Sequence, residues 1–494
     1  MNRLFANAVT CTLIGLLSIP TMAQNPATKP AQAALASRND IGGKRIAMAE
    51  DFPDDQYAFK PVPTERSFGD QLFHVMGSNG SIHPEIGPGA DINRDGQQWI
   101  GTWATSPQPF LPGSVQSFRN QTLRLIVHTS AGGTKVRMRI SNTFGDQPLL
   151  IGGAHIARRT SAADIDPTSD RALMFHGHSS TKVPARSMVV SDPVDLDVPA
   201  LSDLAISLFL PRATQAMSTH ILALQTSYVS PDTGNSTAGV KFPVAKTIHS
   251  WPFLSGVDVA ASPRGVSIVA FGSSLTDGDG STLDSNRRWP DVLAERLQES
   301  ADRKAEVGVL NQGIIGNRLL NDSPHQAGSP FGAALGQAGL ARFERDVLAQ
   351  AGVRYVIVGL GINDIAFPGS LTPLTERISV ESMISGYRQL IARAHQKGIR
   401  VIGTTNPPFE NSFLDAPPVT FYTPEKESVR QKVNAWMRSS AEFDAVVDFD
   451  KVLRDPSHPT RLLAIYDSGD HLHPNNAGCT AEGNAIPLAL FEGH

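Results

Sequence analysis

Between Trp99 and about Pro211, apolar and polar residues alternate with a period of two. In "TKVRMRIS", Val136, Met138 and Ile140 alternate with Lys135, Arg137 and Arg139; in "DLAISLFLP", Leu204, Ile206, Leu208 and Leu210 alternate with smaller or exposed positions. Such alternation predicts half-buried antiparallel strands, and turns such as "AGGT" and "FGDQP" predict a β-sandwich-like domain. After Pro263 the period changes. Apolar runs at Val266–Phe271, Val307–Leu310, Tyr355–Leu360, Ile399–Ile402 and Ala445–Phe449 predict buried strands. Helical faces fall between them: Trp289, Val292, Leu293 and Leu297; Leu340, Phe343, Val347 and Leu348; Met383, Ile384, Tyr387, Leu390 and Ile391; Val429, Val433, Trp436 and Met437. Thr423 and Pro424 suit the N-cap and first turn of the last. Strand and helix in regular alternation imply an α/β domain with a parallel sheet covered on both faces.

At 494 residues the chain exceeds one ordinary core. The opening "MNRLFANAVTCTLIGLLSIPTMAQ" has a basic start, an apolar stretch from Leu4 to Ile19, and small residues before Gln24. It predicts a signal peptide over residues 1–23, cut after Ala23, and hence a secreted or periplasmic protein with no membrane span after cleavage. Residues 24–95, rich in Pro, Gly and Ala, read as an irregular arm, 96–260 as the β-sandwich-like domain and 261–494 as the α/β domain. Within the arm, "DINRDG" (Asp91 to Gly96) begins like a calcium loop, but Thr102 stands where the bidentate Glu is required, so it reads as a turn. Loss of the signal would leave Cys479 as the single cysteine and permit no internal disulfide. A formal net charge of −4 gives no basic footprint for nucleic acid. The histidines of "HGH" (His176 and His178) read as a strand-end pair, since no ligand cluster follows at metal spacing.

In an open parallel sheet, ligands bind beyond the carboxyl ends of the strands. Those ends here carry "GSSL", "NQGIIGN", "GIND" and "DSGDHLHP". Their residue types suit acyl transfer. One of the adjacent serines, Ser273 or Ser274, can act as nucleophile once a base takes its proton; His473 can be that base, with Asp470 holding its tautomer. The oxyanion needs donors, which the serine N–H, the N–H of Gly316 and the side-chain amide of Asn363 can supply.

These residues resemble the SGNH or GDSL-type serine hydrolases. The resemblance implies a flavodoxin-like sheet and assigns Ser274, Gly316, Asn363 and His473 as functional residues, with Asp470 as the partner of the histidine. It places the nucleophile at Ser274, while Ser273 stands where the family usually has Asp. The stretches "RRWPDVLAERL", "DFDKVLRD" and "DHLHPNNAG" are similar to a secreted branch that carries a β-rich domain in front, although Cys479 replaces the aromatic residue of that branch.

The function expected is an ester hydrolase that removes short acyl groups, acetyl first, from carbohydrate, with no metal or other cofactor. Phe409, Phe421 and Tyr422 are candidates for substrate stacking. Alternatives are an arylesterase or a lipase acting on small or lipidic esters, or a glycan-binding protein on a degenerate esterase domain. The absence of a Gly-x-Ser-x-Gly elbow argues against an α/β-hydrolase.

Overall fold

The computed structural model describes residues 97–300, 306–324, 330–413 and 420–492. The expected signal, the arm and the Asp91–Gly96 turn lie outside the described residues. The main strands are, in chain order, β1 (Gln98–Ala104), β2 (Gln121–His128), β3 (Gly133–Ser141), β4 (Gly153–Ser161), β5 (Asp203–Leu210), β6 (Leu254–Ala261), β7 (Val266–Gly272), β8 (Val307–Gly313), β9 (Val353–Gly359), β10 (Arg400–Thr404) and β11 (Ala445–Val447). The first six are antiparallel and form two sheets. One runs β1-β6-β3, with Met188–Val190 and Val194–Val198 paired to β3; the other centres on β2-β5-β4. A single apolar cluster joins them, with Ile100, Val136, Met138, Ile140 and Val257 from the first sheet against Leu123, Leu125, Ile156, Leu204, Ile206 and Leu208 from the second.

The last five strands form a parallel sheet in the order β8-β7-β9-β10-β11. Successive side chains of a strand point to opposite faces, so Val269 and Phe271 enter one core while Ile268 and Ala270 enter the other. The helices are α1 (Ser274–Asp277), α2 (Trp289–Glu299), α3 (Gly339–Phe343), α4 (Ile362–Ala366), α5 (Val380–His395), α6 (Pro424–Ser439), α7 (Phe449–Leu453) and α8 (Asn476–Ala485). The expected cap at Thr423 is present, its side chain accepting from the Lys426 N–H. Two boundaries differ from expectation. The helix containing Leu340 and Leu348 turns into one π-helical turn at Glu344. The last strand stops at Val447 because Asp448 caps α7, accepting from the Lys451 N–H. Among the described residues no helix is long and apolar enough to cross a membrane.

The strand face expected to meet solvent is partly covered. Arg139 is buried, with Nη2 2.7 Å from Gln350 Oε1, and β6 is buried along its whole length. The parallel part supplies the cover. Gly101 N–H donates to Ser267 Oγ at 2.9 Å, and Val309 N–H to Ser130 Oγ at 2.8 Å. Both parts accordingly lie in one compact unit.

The strand register aligns Gly272 with Gly313 on one side and with Gly359 on the other. This row of residues without side chains lets α1 lie across the sheet edge: a Cβ on Gly313 would sit 2.3 Å from Asp277 N. Gly313→Ala should therefore cost about 1–3 kcal/mol, the usual range for overpacking, in urea unfolding; an unchanged midpoint would count against this packing. Cys479 is fully buried in α8, and burial pushes its thiol well above the usual range. It should resist a thiol reagent in the folded protein, and rapid labelling without loss of near-UV circular dichroism would contradict that placement.

Candidate active site

Four segments leave the parallel sheet at one edge. After β7, Ser273 is extended and Ser274 begins α1; after β8 the chain turns through Gly316, whose φ of 69° suits glycine. After β9, α4 carries Asn363 and Asp364, and a loop before α8 carries Asp470 and His473. The structure brings Ser274, His473 and Asp470 together. Ser274 Oγ lies 2.8 Å from His473 Nε2, and His473 Nδ1 lies 2.5 Å from Asp470 Oδ2. The carboxylate can only accept, so Nδ1 carries a proton and neutral Nε2 accepts from the Ser274 hydroxyl. Asp470 Oδ1 also accepts the N–H groups of Leu472 and His473, which fixes the carboxylate on the same turn as the imidazole.

The electrostatics follow from this geometry. Burial opposes charge on His473, but the hydrogen bond to Asp470 and the carboxylates of Asp279 and Asp467 outweigh it and hold the imidazole above its usual range. Burial likewise opposes charge on Asp470. The contacts with His473 and the two N–H groups reverse that effect, and the carboxyl titrates well below the usual range. Asp279, 3.7 Å from Nε2, is a neighbour that the sequence reading missed. A hydroxyl beside a neutral imidazole, with a carboxylate on the far nitrogen, has the parts of an activated nucleophile.

"GIND" and "NQGIIGN" are joined directly. Asn363 Nδ2 donates to Asn317 O at 3.0 Å, and Asp364 accepts from Leu319 and Leu320 at 2.6 and 2.9 Å. Burial raises Asp364 to about 6 despite these donors. An amide has two N–H donors, so Asn363 can hold the loop with one and offer the other to a ligand.

Other residues that organise this edge were also missed. Arg342 is fully buried and donates to Gly272 O, Gln312 O, Asn317 Oδ1, Ser106 Oγ and Asp346. Asp277 accepts the Ile315 N–H at 3.0 Å and lies 2.9 Å from His220 Nε2. Ser273 Oγ is buried with no hydrogen-bond partner among the described residues. An acidic residue three positions after Ser274 was visible in "SSLTD"; nothing in the sequence around His220 or Arg342 signalled their partners.

Two of the three aromatic candidates require correction, while Tyr422 is half-buried. Phe409 is fully buried and Phe421 nearly so, packed against Tyr422 and Phe413 at centroid distances of 5.2 and 4.8 Å. Rings enclosed in this way cannot offer a stacking face. Phe413 is the aromatic neighbour of His473, at 6.1 Å. His176 and His178 lie on an exposed turn as expected, the His176 N–H donating to Asp192. Among the described residues no cluster of three metal-ligating side chains occurs.

Comparison with known proteins bears on residues 270–481, which match the family described as GDSL-like Lipase/Acylhydrolase. No curated protein matches the chain. Similar solved structures include an aryl esterase of M. smegmatis (18% identity, 46% of this chain and 98% of that one, TM-score 0.35). A carbohydrate acetylesterase from Sinorhizobium meliloti has 16% identity over 46% of this chain and 98% of that one, with a TM-score of 0.33. A GDSL-like lipase from Bacteroides thetaiotaomicron VPI-5482 has 17% identity over 46% of this chain and 88% of that one, with a TM-score of 0.31. The stretch that holds all four strand-end segments thus matches the GDSL-like lipase/acylhydrolase family, and its contact of Ser274 with His473 and Asp470 is that of a serine ester hydrolase.

Proposed function

We propose that this protein is a secreted or periplasmic esterase that removes short acyl groups, acetyl first, from carbohydrate through an acyl-Ser274 intermediate. The contact of Ser274 Oγ with His473 Nε2 carries the reading. His473 takes the Ser274 proton as Oγ attacks the ester carbonyl. The N–H groups of Ser274 and Gly316 and the free amide hydrogen of Asn363 stabilise the oxyanion. His473 then protonates the departing alcohol. In the second half it deprotonates water, which attacks the acyl group and returns Ser274 to its hydroxyl form. Asp470 keeps the imidazole oriented and stabilises its cation. The basic start and the apolar stretch from Leu4 to Ile19 in the sequence support export, and with it an extracellular or periplasmic substrate.

The first test is hydrolysis of p-nitrophenyl esters of increasing chain length, followed by acetylated polysaccharides. Acetate should be the best simple ester, and Ser274→Ala should lower kcat by at least ~10⁴-fold. Retained turnover in Ser274→Ala, or an acyl adduct on Ser273 by mass spectrometry, would refute the assignment. The second test is pH dependence. Only neutral His473 can accept the serine proton, and its pKa is raised, so activity should fall as the medium is acidified. The acidic limb of kcat/KM should have its midpoint above the ordinary imidazole value of about 6.5. Asp470→Asn should move that midpoint downward and cut kcat by about 10⁴-fold; an unmoved limb would show that another group controls it.

A further inference from the structure

The β-rich part reaches the hydrolase edge through one side chain. His220 is buried, its N–H and C=O are exchanged with those of Trp251, and its ring stacks on Trp251 at 5.7 Å. Nδ1 is 3.0 Å from Ser106 O, and Nε2 is 2.9 Å from Asp277 Oδ1. A carbonyl accepts only, so Nδ1 carries a proton, and a second proton lies between Nε2 and the Asp277 carboxylate. The other Asp277 oxygen accepts the Ile315 N–H at 3.0 Å, directly before Gly316. Ser273, where the family usually has Asp, makes no side-chain hydrogen bond among the described residues. Within the nucleophile turn it is therefore Asp277, and not Ser273, whose side chain joins Arg342 and Asn363 in bracing the segment that carries Gly316.

We propose that His220 is a positioning residue for ester hydrolysis: by holding Asp277 it fixes the Ile315–Gly316 backbone, and so makes the β-rich part a component of the active site. The inference rests on the proposed acyl-serine mechanism, in which the Gly316 N–H is an oxyanion donor. Oxyanion donors act on the transition state more than on the bound ester, so a misplaced loop should lower kcat and leave KM largely unchanged. No bond is made or broken at His220.

Two substitutions separate its contacts. In His220→Gln the side-chain amide lies near the position of Nε2 and keeps a donor for Asp277. In His220→Asn the amide lies near the position of Nδ1, keeps the donor for Ser106 O and leaves Asp277 without its partner. With p-nitrophenyl acetate, His220→Asn should lose kcat on the order of 10- to 100-fold, the scale of a displaced catalytic group, with KM within about threefold. His220→Gln should recover most of the loss. Equal kcat in the two folded variants, or a loss carried by KM alone, would overturn the proposal. Should His220→Asn fail to fold, Asp277→Ala and Asp277→Asn replace the pair. The asparagine can accept from Ile315 and donate to neutral His220, so kcat should fall in the alanine variant and be retained in the asparagine one; equal kcat overturns the proposal. Ser274→Ala, measured alongside, keeps the two questions apart: if it retains turnover, the acyl-serine mechanism fails whatever His220 does.

Discussion

The buried guanidinium of Arg342 is the interaction on which the edge of the sheet depends. Its donors reach the carbonyl groups of Gly272 and Gln312 at the ends of two adjacent strands, the side chain of Asn317 beyond the Gly316 turn, and Ser106 in the β-rich part. A planar group with five fixed donors suits acceptors that converge from different segments, which a flexible ammonium would serve less well. Asp346 balances its charge at 3.1 Å. Removing one partner of such a pair leaves a buried charge uncompensated, a cost commonly of about 3–5 kcal/mol. The segment carrying Ser274 and the segment carrying Gly316 share this anchor, so their separation is set before any substrate arrives.

The same economy explains how a Ser–Ser pair can work where the family usually has Asp–Ser. Ser273 contributes backbone: its carbonyl accepts from Thr276 and Asp277 and begins the short helix that presents Ser274. The charged bracing group here is Asp277, four residues along, where a partner from another part of the chain reaches it. That partner comes from a strand-poor stretch of the β-rich part and not from the parallel sheet.

Much of the parallel sheet was legible in the sequence because buried strands and amphipathic helices impose different periods on apolar residues. The meeting of Ser274, His473 and Asp470 was legible because each sits within a few residues of a strand end or a recognisable polar motif. What was not legible depends on pairings between remote positions. Arg139 alternates like a solvent-facing residue, yet the parallel part covers it; Phe409 and Phe421 look like a platform until their neighbours enclose them. Arg342 belongs to a helical face by position, and only the three-dimensional arrangement gives it five acceptors. Period reports which face of an element is apolar, but it carries no information on what covers the other face.

The first described strand also bears on the order in which the chain can assemble. β1 finds its partner in β6, pairing Gln98 with Ala261, immediately before the parallel sheet begins. During synthesis β1 emerges long before that partner, and its unpaired edge is a template for the wrong strand. Closure of so long a loop makes the contact order high and folding slow. Wherever the chain folds, the edge of β1 therefore stays open until residues 254–261 pair with it, and the yield of folded protein depends on that interval as well as on final stability.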